Sequence, residues 1–114
     1  MEAELDKMMD MFMNTSPSEE FKGLIGEVFK EDIYRKAISN FGGEKQIWMC
    51  IEEMGELMSA INKFKRGRCS MDDVITEIAD VNIMTEQLAI IFGKDSFLNE
   101  KKRKIIRLYN MIHQ

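Results

Sequence analysis

Glu44 to Lys65 reads EKQIWMCIEEMGELMSAINKFK, and the spacing of its apolar residues decides the fold. Ile47, Cys50, Ile51, Met54, Leu57, Met58 and Ile61 recur with the helical period and define one core stripe. Gly67 lies just beyond, where helices commonly stop. Ser70-Met71-Asp72-Asp73 then resembles a capping box with Asp in place of the usual Glu or Gln. It opens a second helix that reaches Phe92-Gly93, with Val74, Ile78, Val81, Met84 and Leu88 as its apolar stripe. Two adjacent helices joined by a short turn are antiparallel neighbours.

Each of these helices carries a carboxylate pair with a three-residue spacing, Glu53 with Glu56 and Glu77 with Asp80. Residues so spaced are neighbours on one helical face. Glu53 falls at the edge of its stripe and Glu56 further round on the same side, whereas Glu52 lies opposite. Glu77 lies within the apolar stripe of its helix and Asp80 at the margin. An ionised glutamate facing a core must be paired, neutralised or bound to metal. Four acids converging from facing helices repel one another unless cations lie between them, and oxygen-only ligands suit Mg²⁺. The competing reading is a buried salt bridge from Glu77 to Lys63, Lys101 or Lys104.

The rest of the chain fits the same architecture, an all-α bundle of about four to five helices. Its 114 residues, 45% hydrophobic and 32% charged, suit one modest domain. Residues 1–15 form an expected N-terminal arm rich in methionine (Met8, Met9, Met11, Met13), and residues 16–114 the domain proper. Thr15-Ser16-Pro17 followed by Glu19 and Glu20 reads as a helix start, with Phe21, Leu24, Ile25 and Val28 as the apolar face that follows. A helical stretch over Ile33 to Phe41 stops at Gly42-Gly43, either as a separate helix or as a bent continuation. Ser96 is the expected cap of a last helix that ends near Ile112, and Trp48 is expected to pack against another helix or a second subunit.

A net charge of −4 argues against binding to duplex DNA or RNA, and no apolar run approaches membrane length. Cys50 and Cys69 have no metal-type spacing and are expected to be free thiols in a cytoplasmic protein. Basic residues fall in two groups, Lys63, Lys65, Arg66 and Arg68 after the first acidic helix and Lys101, Lys102, Arg103, Lys104 and Arg107 near the end. Both groups read as solvated faces or as cations for the phosphates of a metal-bound ligand, and Lys101, Lys104 and Arg107 are the expected contacts.

Between Tyr34 and Tyr109 the chain resembles the small MazG-like all-α nucleoside triphosphate pyrophosphohydrolases. The likeness rests on Ala37-Ile38-Ser39-Asn40-Phe41-Gly42, Gln46, Ile51-Glu52-Glu53-Met54-Gly55-Glu56-Leu57, Ala60 to Gly67 and Glu77-Ile78-Ala79-Asp80-Val81. The resemblance implies that Glu53, Glu56, Glu77 and Asp80 bind Mg²⁺, with Mn²⁺ as a substitute. It implies hydrolysis of a nucleoside triphosphate, expected to be a deoxyribonucleotide, between the α and β phosphates, with Glu53 and Glu56 catalytic and Glu53 the proton acceptor. It also implies a homodimer or homotetramer with a shared base pocket. Two positions depart from the family pattern: Lys63 stands where related enzymes carry a base-stacking aromatic, and Ile105 follows Lys104 where many have Asn.

A di-iron carboxylate bundle needs two Glu-x-x-His motifs, and the single histidine is His113. The remaining alternative is a protein of the same fold that binds nucleotide and metal, or a helical partner, without catalysis.

Overall fold

A computed structural model describes residues 2–14 and 24–114. Among the described residues it contains five α-helices and no strand, as an all-α chain requires. They are α1 (Glu2–Asn14), α2 (Leu24–Phe41), α3 (Gly43–Lys65), α4 (Met71–Phe92) and α5 (Lys94–Ile112). Two compact units divide the chain, Met1–Asn40 and Phe41–Gln114. The expected arm boundary at residues 15–16, the helix start at Thr15-Ser16-Pro17 with Glu19 and Glu20, and the apolar Phe21 lie outside the described residues.

In the first unit, one unbroken helix covers the stretch up to Phe41, without the separate helix from Ile33. Phe29 is only 3% exposed, and its ring meets that of Phe12 with centroids 5.4 Å apart. Val28 is exposed, so the buried side of α2 is marked by Phe29 and Tyr34. The methionines of α1 remain largely at the surface, with Met9, Met11 and Met13 exposed.

The second unit is organised by the α3–α4 hairpin. Gly67, at φ 70°, ends α3 in a conformation that costs a residue with a Cβ. Its N–H donates to the Phe64 carbonyl at 2.9 Å and the next N–H, of Arg68, to the Lys63 carbonyl at 2.8 Å. This pair of bonds is the Schellman termination. Ser70 then caps α4: its hydroxyl accepts from the Asp73 N–H at 3.2 Å, and its own N–H donates to Asp73 Oδ2 at 3.0 Å. The shorter Asp therefore closes the box as well as Glu does. At the far end, Gly93 (φ 136°) ends α4 and α5 starts at the next residue. Ser96 consequently lies inside α5 and does not cap it, because Gly93 already occupies that position.

On α4 the hairpin packs through the stripe the apolar spacing selects, with Met84 buried and Val74, Val81 and Leu88 half-buried, whereas α3 packs through a face rotated from its stripe that shares Cys50 and Leu57 with it. On α3 the buried residues are Gln46, Cys50 and Ala60, with Glu53 and Leu57 half-buried on the same line. Alternating steps of four and three residues connect them, the spacing of one helical face. Ile51, Met54, Met58 and Ile61, expected in the core, are exposed. On α4, Met84 and Gln87 are buried and Ile78 is exposed. Both helices thus carry more apolar surface than one hairpin contact can cover, and the packed faces take in the polar residues.

Those polar residues are satisfied by each other. Gln46 Nε2 donates to Gln87 Oε1 at 2.7 Å across the helices, and Gln87 Nε2 lies 3.7 Å from Met84 Sδ. The bond sets the register of the antiparallel pair. Two turns further along α3 and two turns back along α4, the same register faces Glu53 towards Asp80, and one turn beyond that it faces Glu56 towards Glu77. Gln46→Leu strands the Gln87 amide in the core and is expected to cost about 1–3 kcal/mol. The double variant Gln46→Leu, Gln87→Leu should recover much of that loss in urea melts, although its helices are freer to slide.

Candidate metal centre

Three of the four carboxylates of the two pairs meet. Glu53, Glu56 and Glu77 each bring an oxygen to within 4.8 Å of the others. Glu53 and Glu77 are half-buried, and Glu56 is exposed at the rim. Asp80, also half-buried, stands outside this set, yet its charge acts on both Glu53 and Glu77. Sequence and structure agree on which helices carry the cluster, and the structure draws three of its members together while holding Asp80 a step back.

Glu53 Oε2 and Glu77 Oε2 are both buried from solvent without a hydrogen-bond partner among the described residues. Removal from water pushes the Glu53 carboxyl above its ordinary range, and the neighbouring Glu56, Asp80 and Glu77 push it further the same way. Glu77 is raised for the same reasons, desolvation first and then Glu56 and Asp80. Among the described residues no lysine forms an ion pair with Glu77, so the alternative of a buried salt bridge to Lys63, Lys101 or Lys104 is not realised. Burial and Glu53 also raise the thiol of Cys50, which is free like Cys69.

The donor set fits a hard divalent cation. All the ligands are carboxylate oxygens from two rigid helices, and two inward-facing oxygens have no other partner. Three carboxylate oxygens on one octahedral Mg²⁺ stand about 3 Å apart where adjacent and about 4.2 Å where opposite, inside the 4.8 Å within which the oxygens of Glu53, Glu56 and Glu77 now lie.

Beside the acids opens a cleft of about 410 Å³, lined by Glu56, Ser59, Ala60, Lys63, Arg68, Cys69, Asp73, Thr76 and Glu77. The cations on this cleft are Lys63 and Arg68, from the end of α3 and the turn that follows. Lys101 and Lys104 line a different groove on α5, with Phe97, Glu100, Ile105 and Leu108. The Lys101 ammonium sits over the Phe97 ring at 5.7 Å, while Arg103 foremost, and Lys104 and Arg107 after it, act on the charge of Glu100. The expected phosphate contacts on α5 are thus not gathered at the acids within one chain. Gly67 was the available signal for Arg68, since a Schellman turn fixes what comes next.

Comparisons with protein-family models, with curated proteins and with solved structures found no match.

The raised carboxyls have a consequence for stability. Because their folded-state proton affinity exceeds the unfolded one, their favourable contribution is complete below the ordinary value of 4.5 and is lost as pH rises through the raised folded values. Metal-free protein should therefore lose melting temperature between the ordinary carboxylate range and neutrality. Glu77→Gln should flatten that dependence in thermal melts followed by circular dichroism, and Mg²⁺ should restore stability to the wild type at neutral pH.

Proposed function

We propose that this protein is a Mg²⁺-dependent nucleoside triphosphate pyrophosphohydrolase, acting on a deoxyribonucleotide and releasing nucleoside monophosphate and pyrophosphate. The observation that supports this reading above all is the pair of buried, unpartnered oxygens on Glu53 and Glu77 beside Glu56, next to a cleft that Glu56 and Glu77 line together with Lys63 and Arg68. Four carboxylates without a cation are an unfavourable arrangement, and cationic side chains nearby match the phosphates such a cation would bring.

Glu53, Glu56, Glu77 and Asp80 would hold Mg²⁺, or Mn²⁺ in its place. When bound, the ion supplies charge neutralisation for the triphosphate and acidifies water. The attacking water forms a bond to the α phosphorus as the bond from that phosphorus to the α,β-bridging oxygen breaks. The electron pair leaves with pyrophosphate, and Glu53 takes the water's proton. Glu56, at the exposed rim, orients the same water.

The functional unit is a homodimer or homotetramer. Ile51, Met54, Met58 and Ile61 on α3, and Ile75 and Ile78 on α4, form apolar faces that the single chain leaves open, and Trp48 is 61% exposed. Contiguous apolar surface of this kind marks an interaction site, and a symmetric pairing is the commonest way to cover it. Among the described residues no helix is long and apolar enough to cross a membrane, and a cytoplasmic nucleotide enzyme is the setting this reading assigns.

A screen of ribo- and deoxyribonucleoside triphosphates with Mg²⁺, reading monophosphate and pyrophosphate by ion-exchange chromatography, tests the activity. Glu53→Gln, Glu56→Gln, Glu77→Gln and Asp80→Asn should each lower turnover by orders of magnitude while circular dichroism stays native. Near-wild-type turnover in any two of them at saturating metal would defeat the site assignment. Nucleotide binding with no turnover of any triphosphate would instead identify a non-catalytic binding protein. Light scattering at micromolar concentration should give the mass of a dimer or tetramer, and Met58→Glu should shift it towards the monomer.

A further inference from the structure

The acid cluster accounts for Glu56 and Glu77 in the lining of the cleft and leaves Lys63 and Arg68 unexplained. Their placement is set by backbone geometry. The Arg68 N–H donates to the Lys63 carbonyl at 2.8 Å, which places the two cationic residues side by side although five positions separate them in sequence. The next residue, Cys69, is fixed as well, its Sγ lying 3.3 Å from the Ala60 carbonyl. Ser70 is held by the capping box. The turn is thus anchored at each residue from Gly67 to Ser70, and Arg68 is presented on the cleft from a fixed backbone.

The two cations are not equivalent. Lys63 faces Asp73 closely enough for its charge to add to the hydrogen bonds from Ser70 that hold the Asp73 carboxyl below its ordinary range. Arg68 lines the cleft and has no ion-pair partner among the described residues. Ser59 and Thr76 add hydroxyls to the lining, that of Thr76 already donating to the Asp72 carbonyl at 3.0 Å. Glu56 and Glu77, two of the three clustered carboxylates, line the same cleft.

We infer that Arg68, assisted by Lys63, binds the β and γ phosphates of the substrate, so that a cleft whose residue 63 would stack the base in the resembled family serves in this chain, with lysine there, as the pyrophosphate half of the site. This rests on the reading of the acid cluster as a metal–nucleotide site. A planar guanidinium offers paired donors to phosphate oxygens, and a polyphosphate is the ligand whose anionic length spans from a carboxylate-held cation to a second cationic group. The leaving group is then held by fixed charge on one side and by the carboxylate-bound ion on the other. Free pyrophosphate, which carries the same chemistry, should occupy the cleft as a product inhibitor.

The probe is magnesium pyrophosphate titrated into the full chain by calorimetry, with a deoxynucleoside monophosphate as a second ligand. Arg68→Ala should weaken pyrophosphate binding about tenfold or more, with Lys63→Ala having the smaller effect and Arg68→Lys lying between wild type and Arg68→Ala. Monophosphate affinity should be unchanged. Arg66→Ala removes the same charge from the same turn outside the cleft and should have no effect. Unaltered pyrophosphate binding in a natively melting Arg68→Ala variant overturns the assignment, as does an equal loss in Arg66→Ala or an equal loss for the monophosphate. Triphosphate hydrolysis by a wild type that binds no pyrophosphate overturns it while leaving the proposed activity standing. Arg68-dependent pyrophosphate binding without hydrolysis of any triphosphate keeps it and defeats the activity.

Discussion

The hydrogen bond between Gln46 and Gln87 is the constraint on which the rest of the structure depends. Apolar contacts between two helices tolerate sliding, because one aliphatic side chain replaces another at little cost. A buried amide pair does not, since a shift of one residue leaves donors and acceptors in the core without partners. The register it sets brings Glu53, Glu56 and Glu77 together and turns two of their oxygens away from water. A polar pair at one end of the hairpin thus determines the electrostatics two turns away. The Schellman bonds and the capping box at the other end hold the turn against the same pair of helices.

The core that results is thin. Cys50, Ala60 and Met84 are its buried apolar members in the second unit, and none of α5 is buried. A hairpin with so little apolar burial gains little from the hydrophobic effect alone. The second apolar face of α3 therefore has more to contribute to a pairing between copies than to the isolated chain. Under the proposed function, the same association would also decide whether the cations of α5 ever come near an acid cluster.

Much of the hairpin was legible in the sequence because its signals are local. Gly67, Ser70 and Gly93 each act on the backbone within one turn, and the helix boundaries follow from them. The carboxylate pairs were legible for the same reason, since spacing alone puts each pair on one face. What was not legible is which of two neighbouring faces of α3 packs inward. Ile51, Met54, Met58 and Ile61 form the more apolar line, yet the line through Gln46, Cys50 and Ala60 is the buried one. Deciding between them requires the partner helix, because Gln46 is acceptable in a core only opposite Gln87. Ser96 misled in a similar way: a good capping residue has no role where a glycine at positive φ already joins the two helices. Arg68 belongs to one of two basic groups suited to phosphate, and the choice between the groups was not legible because side-chain direction after a Schellman turn is a three-dimensional property.

All the residues of the acid cluster and its cleft lie between Glu53 and Asp80, within a single hairpin. The loop that must close to assemble them is the short turn between α3 and α4, and its closure entropy is small. Chains dominated by such near-neighbour contacts fold fast. The carboxylates are therefore brought face to face by the closure of this one hairpin, which needs neither α5 nor another copy. Their mutual repulsion opposes that closure from the start, and a divalent cation in the medium would act on the folding rate as well as on the finished protein.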